Sequence, residues 1–268
     1  MCIFAEQIQI KNKKIMRRIF TFAVLAIAAL AVSAQPATRT ATRLGNDSGI
    51  AERRAPSANQ ALSAGQAQGV KKVSVMGDSY STFQGAIPQG YANYYPSQGN
   101  DVSQLEQTWW KLYVKAMGYE LDTNDSWSGS TICHTGYGRQ DYSGFSFLTR
   151  VQKLGDPDII FLFGGTNDSW SNAPIGEYQY ANWSKKSLYS FRPALACLLA
   201  RLKETYPNAQ IYAMLNSELK AEVNESFRTI CKYYNVPLIE LHDIEKQGGH
   251  PSIKGMQAIC DQLVEATR

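Results

Sequence analysis

The chain reads as an α/β protein, with an open, mostly parallel sheet covered by helices on both faces. Two observations predict it. Over residues 70–268 short apolar runs alternate with amphipathic segments, and each apolar run ends in a turn or polar loop. Hydrophobic residues are 44% of the 268 and charged residues only 19%, which excludes a mainly disordered, collagen-like or coiled-coil chain.

In chain order, Val73 to Met76 is the first buried strand. Ser103 with Glu106 forms a capping box ahead of Leu105, Trp109, Leu112 and Ala116, which mark a helix face, and Gly118 supplies its stop. A weaker strand covers Glu120 to Asn124, and Asp158 to Phe163, Gln210 to Leu215 and Val236 to Leu241 complete a set of five. Leu188, Phe191, Leu195, Leu198 and Leu202 recur every three or four residues, as do Leu219, Val223, Phe227, Ile230 and Tyr234; both patterns are helical. Ser252 caps a last helix with the apolar face Ile253, Met256, Ile259 and Leu263.

The segment before Val70 has a different character. Lys11, Lys13, Lys14, Arg17 and Arg18 precede the apolar run Ile19 to Val32 and the small residues Val32-Ser33-Ala34, the order of a secretory signal peptide over residues 1–34. The run falls short of the ~20 residues that span a bilayer, so no membrane anchor is expected after cleavage and the product is secreted or periplasmic. Met16 would serve as a start as well as Met1, and no Cys adjoins Gln35 to carry a lipid. Residues 35–69 are rich in Ala, Ser, Thr, Gln and Arg without apolar periodicity, and read as a flexible linker to a folded domain at 70–268. The formal charge of +4 comes from the leader, since the remainder carries 22 basic and 22 acidic residues. A balanced chain lacks the basic footprint of a nucleic-acid partner.

Two motifs sit where such a sheet binds ligands, beyond the carboxyl ends of its strands. The first strand ends in Gly77-Asp78-Ser79, and the strand at Asp158 to Phe163 ends in Gly165-Thr166-Asn167-Asp168. Alone, the triplet reads as an ordinary strand-to-helix turn. With strand order 2-1-3-4-5, however, both loops flank the point where the order reverses, and Ser79 meets Asn167 in one crevice. Further on, Asn124-Asp125-Ser126-Trp127-Ser128-Gly129 and His250-Pro251-Ser252 follow in separated blocks.

These four blocks, spread over nearly all of residues 72–268, resemble those of the SGNH (GDSL-type) hydrolases, named for a Ser, a Gly, an Asn and a His. The resemblance implies a flavodoxin-like, three-layer α/β/α fold and a serine esterase. Ser79 would be the nucleophile and His250 its base, and the N–H groups of Ser79 and Gly129 with the Asn167 amide would form the oxyanion hole. One position departs from the family. Its acid lies three residues before the histidine, where this chain has Gln247. Asp243, just past the last strand, is the favoured replacement; Glu245 or no acid at all, with a backbone carbonyl orienting His250, stay open.

Tyr80, Trp127 and Trp170 lie within a few residues of these groups and offer flat faces to a sugar ring. The expected partner is therefore a small-molecule or glycan ester, with a short acyl group on carbohydrate. The stretch from Pro88 to Asp101 is long for a loop and reads as a lid or binding loop. A lipase or phospholipase, and a carbohydrate-binding protein whose triad has decayed, are the other readings. Asp168 reads as a scaffold for the loop bearing Asn167. No Cys, His, Asp or Glu group has metal-ligand spacing, so neither metal nor cofactor is expected. Cys133, Cys197, Cys231 and Cys260 remain after leader removal and are expected mostly as free thiols, three of them on helices.

Overall fold

The computed structural model describes residues 69–268. The leader expected at 1–34 and the linker expected at 35–69, apart from Gly69, lie outside the described residues. Five strands, β1 (Lys72–Gly77), β2 (Glu120–Ser126), β3 (Ile159–Phe163), β4 (Gln210–Leu215) and β5 (Leu238–Glu240), form one parallel sheet in the order β2-β1-β3-β4-β5. Helices α1 (Trp109–Met117), α2 (Thr166–Trp170), α3 (Phe191–Thr205), α4 (Ala221–Tyr234) and α5 (Ile253–Thr267) fill the connections and the carboxyl end. A two-stranded antiparallel ladder, β6 (Lys246–Gln247) with β7 (His250–Pro251), precedes α5.

Successive strand residues point to opposite faces, and each face has its own core. Val73, Val75, Phe161 and Phe163 pack with Trp109, Trp110 and Tyr113 of α1 and Met256, Ile259 and Leu263 of α5. Met76, Ile160 and Leu162 turn the other way, onto Phe191, Leu195 and Leu198 of α3 and Val223, Phe227 and Ile230 of α4. Each such side chain adds about 1.5–3 kcal/mol by leaving water, and cover on both faces explains why β3 is apolar at every position.

Local signals hold in part. Gly118 ends α1 at φ +67, and Ser252 accepts the Gly255 N–H to cap α5. The Ser103–Glu106 box does not form. Gln107 Oε1 instead accepts the N–H groups of Ser103 and Gln104, both at 2.9 Å, so a separate 3-10 turn at Leu105–Gln107 precedes α1. Leu188 falls in another 3-10 turn, Leu219 lies before α4, and Ile253 is exposed on the first turn of α5. Cys133, Cys197, Cys231 and Cys260 are free thiols, all buried. Burial pushes the thiols of Cys231 and Cys260 up to about 12 and about 11, so they are packing residues. No described helix is long and apolar enough to cross a membrane.

Candidate active site

The strand order reverses between β1 and β3, and the loops leaving their carboxyl ends meet. Gly77 ends β1 where nothing larger fits, because a Cβ there would lie 2.6 Å from both Ser126 Oγ and Ser81 Cβ. Asp78 Oδ1 then accepts the Tyr80 N–H at 3.1 Å, capping a 3-10 turn at Ser79–Ser81 that carries the serine out of the strand. After β3, Gly165 turns the chain at φ +91, with Phe227 2.7 Å from where a Cβ would stand, and opens the short helix that bears Asn167.

Ser79 Oγ lies 2.9 Å from His250 Nε2. On the other side of the ring, Nδ1 is 3.1 Å from the Gly248 carbonyl. A carbonyl only accepts, so Nδ1 carries the proton and Nε2 turns its lone pair to the Ser79 hydroxyl. Burial lowers the histidine's proton affinity, the Gly248 carbonyl raises it, and the nearby Lys246 charge lowers it, for a net fall below 6.5.

Three N–H groups are free to receive an oxyanion. Asn167 Nδ2 donates to Ser130 O at 3.0 Å while its Oδ1 accepts the Tyr137 hydroxyl at 2.9 Å. These bonds fix the amide's orientation and leave one of its N–H groups uncommitted. The backbone N–H groups of Ser79 and Gly129 donate to no other group among the described residues, and Gly129 holds φ +80. The Asp168 carboxylate accepts the N–H groups of Ile132 and Cys133, at 2.8 and 3.0 Å, binding the loop after Gly129 to α2. Burial raises Asp168 to about 6 and Asp78 to about 7, against the lowering effect of the backbone N–H groups each accepts.

Asp243 does not reach His250. It sits at φ +54 with its side chain 95% exposed, and its Oδ2 pairs with His242 Nδ1 at 2.9 Å. Leu241 and Ile244 to either side are buried, so the loop after β5 follows the core while Asp243, at positive φ, holds its side chain in solvent. Glu245 accepts the Ser252 hydroxyl at 2.6 Å, and Gln247 exchanges hydrogen bonds with Asp101 across from the histidine loop. His134 bonds Ser146 away from the pair.

Of the expected aromatic faces, Trp170 is 43% exposed, with its ring 5.8 Å from that of His250. Tyr80 is no substrate face: it is wholly buried under the histidine loop, its hydroxyl 2.6 Å from Gly249 O. Trp127 is half-buried and engaged by Tyr91, stacked at 3.9 Å, and by Phe145 at 5.1 Å. Sequence reasoning missed Tyr94, stacked on His250, Tyr137 on Asn167, and the buried Arg150 below both loops. The aromatic run Tyr91-Ala92-Asn93-Tyr94-Tyr95 inside the long loop is the one signal that could have drawn attention to the first of these.

The profile of the GDSL-like lipase/acylhydrolase family matches residues 71–267. A Bacteroides ovatus structure assigned as a GDSL-like lipase is 52% identical, with a TM-score of 0.74, covering 75% of this chain and 99% of the other. A Bacteroides uniformis structure assigned likewise is 54% identical at the same TM-score, covering 75% and 96%. A carbohydrate esterase at 18% identity and TM-score 0.54, covering 73% and 64%, shares the fold. No curated protein matches. The chain belongs to the GDSL-like lipase/acylhydrolase family, the SGNH hydrolases of the sequence motifs, and is an ester-hydrolysing enzyme.

Proposed function

We propose that the protein is an exported serine esterase that removes short acyl groups, acetyl foremost, from carbohydrate. The observation that carries the reading is the 2.9 Å contact of Ser79 Oγ with a histidine whose other nitrogen is held as a donor, set beside three uncommitted N–H groups. As Ser79 Oγ bonds to the ester carbonyl carbon, its proton passes to His250 Nε2. The carbonyl oxygen becomes an oxyanion and takes the N–H groups of Ser79, Gly129 and Asn167. His250 then protonates the departing alcohol oxygen, and a water deprotonated by the same nitrogen attacks the acyl-enzyme and restores the Ser79 hydroxyl. Asn167→Ala lowers kcat by about 10²- to 10³-fold with KM little changed, since the amide serves the charged intermediate more than the bound ester. Steady-state kinetics on an acetyl ester check this.

The carbohydrate part rests on what surrounds the nucleophile. Tyr137, 38% exposed, touches Asn167, and Trp170 stands over the histidine loop, giving two aromatic faces with polar loops between them. Flat aromatic faces suit the C–H surface of a pyranose, whereas a lipase would need a broad aliphatic approach. The carbohydrate esterase of shared fold agrees with this assignment, and export rests on the leader-like residues 1–34. Acetate release from acetylated oligosaccharides, compared with hydrolysis of p-nitrophenyl acetate and palmitate, tests it. Acetyl substrates turn over and palmitate does not; the reverse preference would make the enzyme a lipase.

A further inference from the structure

The geometry points to Tyr94 as a positioning residue for His250, its ring standing in for the carboxylate that would otherwise hold and stabilise the imidazolium. The inference rests on His250 being the general base. The two rings lie flat on each other, centroids 3.5 Å apart and planes 6° apart. Tyr80, Trp170 and Tyr95 also approach the imidazole, at 5.2, 5.8 and 6.4 Å, but they meet it tilted or edge-on.

The stack is built from both sides. On the tyrosine side, the Tyr94 N–H donates to Thr82 Oγ1 at 2.8 Å, one turn after the nucleophile, and the Gln84 N–H donates to Tyr95 O at 2.8 Å. The neighbouring Tyr95 hydroxyl donates to Pro251 O at 2.8 Å, locking the loop to the strand that carries His250. Asn100 Nδ2, farther along the same loop, faces the carbonyls of Gln247, His250 and Pro251 at 3.2–3.3 Å. The long loop between β1 and α1 thus holds the catalytic ring rather than covering it as a free flap.

Such a support is needed because nothing anionic among the described residues faces the ring. When Ser79 gives up its proton, a cation forms in a buried place where Lys246 already opposes it. Lys246 is itself paired with Glu218 at 3.0 Å, Asp101 is taken by Gln247 and the Ile253 N–H, Glu245 by Ser252, and Asp243 by His242. The Gly248 carbonyl contributes a dipole in place of a charge. An aromatic face attracts a cation through its quadrupole, and a flat stack also resists rotation of the imidazole away from Ser79.

The test is a proton NMR titration of His250 in the parent, Tyr94→Leu and Tyr94→Phe proteins, with kinetics alongside. The chain has only three histidines, so His250→Gln identifies the resonance. In the parent, the midpoint lies below 6.5 because burial dominates, and activity, which needs neutral imidazole, is lost only as pH falls through that lowered value. Tyr94→Leu keeps the ring covered but removes the π face. It moves the midpoint down by about 0.4–1.5 pH units and lowers kcat by about 3- to 30-fold with KM unchanged, and Tyr94→Phe restores both. A midpoint that stays or rises in Tyr94→Leu would overturn the inference, because loss of mere cover admits water and raises it. A higher KM at unchanged kcat would also overturn it and make Tyr94 a substrate contact. The titration needs no substrate, so it decides the role of Tyr94 even if no ester is turned over, an outcome that would count against the proposed function instead.

Discussion

Ser79→Ala and His250→Ala each lower kcat on an acetyl ester by about 10⁴- to 10⁶-fold, and the double variant is no slower than either single one. The two side chains act as one unit, a hydroxyl and the nitrogen that receives its proton, so removing either leaves only binding and oxyanion stabilisation. Asp243→Asn, by contrast, stays within about two-fold of the parent. Its carboxylate is out in solvent on His242 and has no path to the imidazole. The contrast matters because a triad acid is expected to be costly to lose: its conversion to amide costs about 10⁴ in a serine protease, mainly by offering the wrong tautomer. Here a backbone carbonyl, which no side-chain substitution can convert to a donor, fixes the tautomer. Turnover numbers for the four variants, with circular dichroism to verify folding, check the pattern. A loss of 10²-fold or more in Asp243→Asn would mean that the loop after β5 folds inward during catalysis.

What could be read from the sequence, and what could not, divides along physical lines. β3 was legible because a strand buried on both faces is apolar throughout, β1 and β4 because they are nearly so, and the glycines at 77 and 165 mark places where backbone approach or positive φ excludes other residues. Ser79, Asn167 and His250 were legible as types in an order, since each stands beside a strand end that the topology brings together. Asp243 was misread because nearness in sequence was substituted for direction: a positive φ at that residue sends its side chain outward, and neighbouring residues do not reveal it. Tyr80 was misread for the related reason that adjacency to the nucleophile does not say which way a ring points. Tyr94 and Tyr137 come from loops whose paths are set by tertiary hydrogen bonds, so neither has a spacing that leads to the site.

Arg150 is the clearest of these silent residues, and its replacement has the largest expected effect on stability. A lone arginine after a polar loop looks like surface, yet its guanidinium is buried and 2.8 Å from Asp125 Oδ2, and also donates to the Asp125 carbonyl. The same group donates to Gly77 O at 3.2 Å and Ser130 Oγ at 3.1 Å, and lies 4.7 Å over the Phe147 ring. It therefore ties the end of β1, the end of β2 and the loop supplying the Gly129 N–H into one support. Arg150→Met strands the buried Asp125 carboxylate and costs about 3–5 kcal/mol, roughly 6–20 °C in Tm for a domain of this size. Arg150→Met with Asp125→Leu recovers most of that, because the ion pair offsets its own desolvation poorly: Arg150 Nε and Asp125 Oδ1 have no partner among the described residues. The double variant nevertheless stays at least about 10-fold slower than the parent, since Gly77 and Ser130 lose their tether and the oxyanion donors drift by fractions of an ångström. Thermal unfolding and acetyl-ester kinetics on the two variants separate the two effects. Full recovery of activity with stability would show that the guanidinium serves the fold alone, and persistent loss would assign it to holding the site.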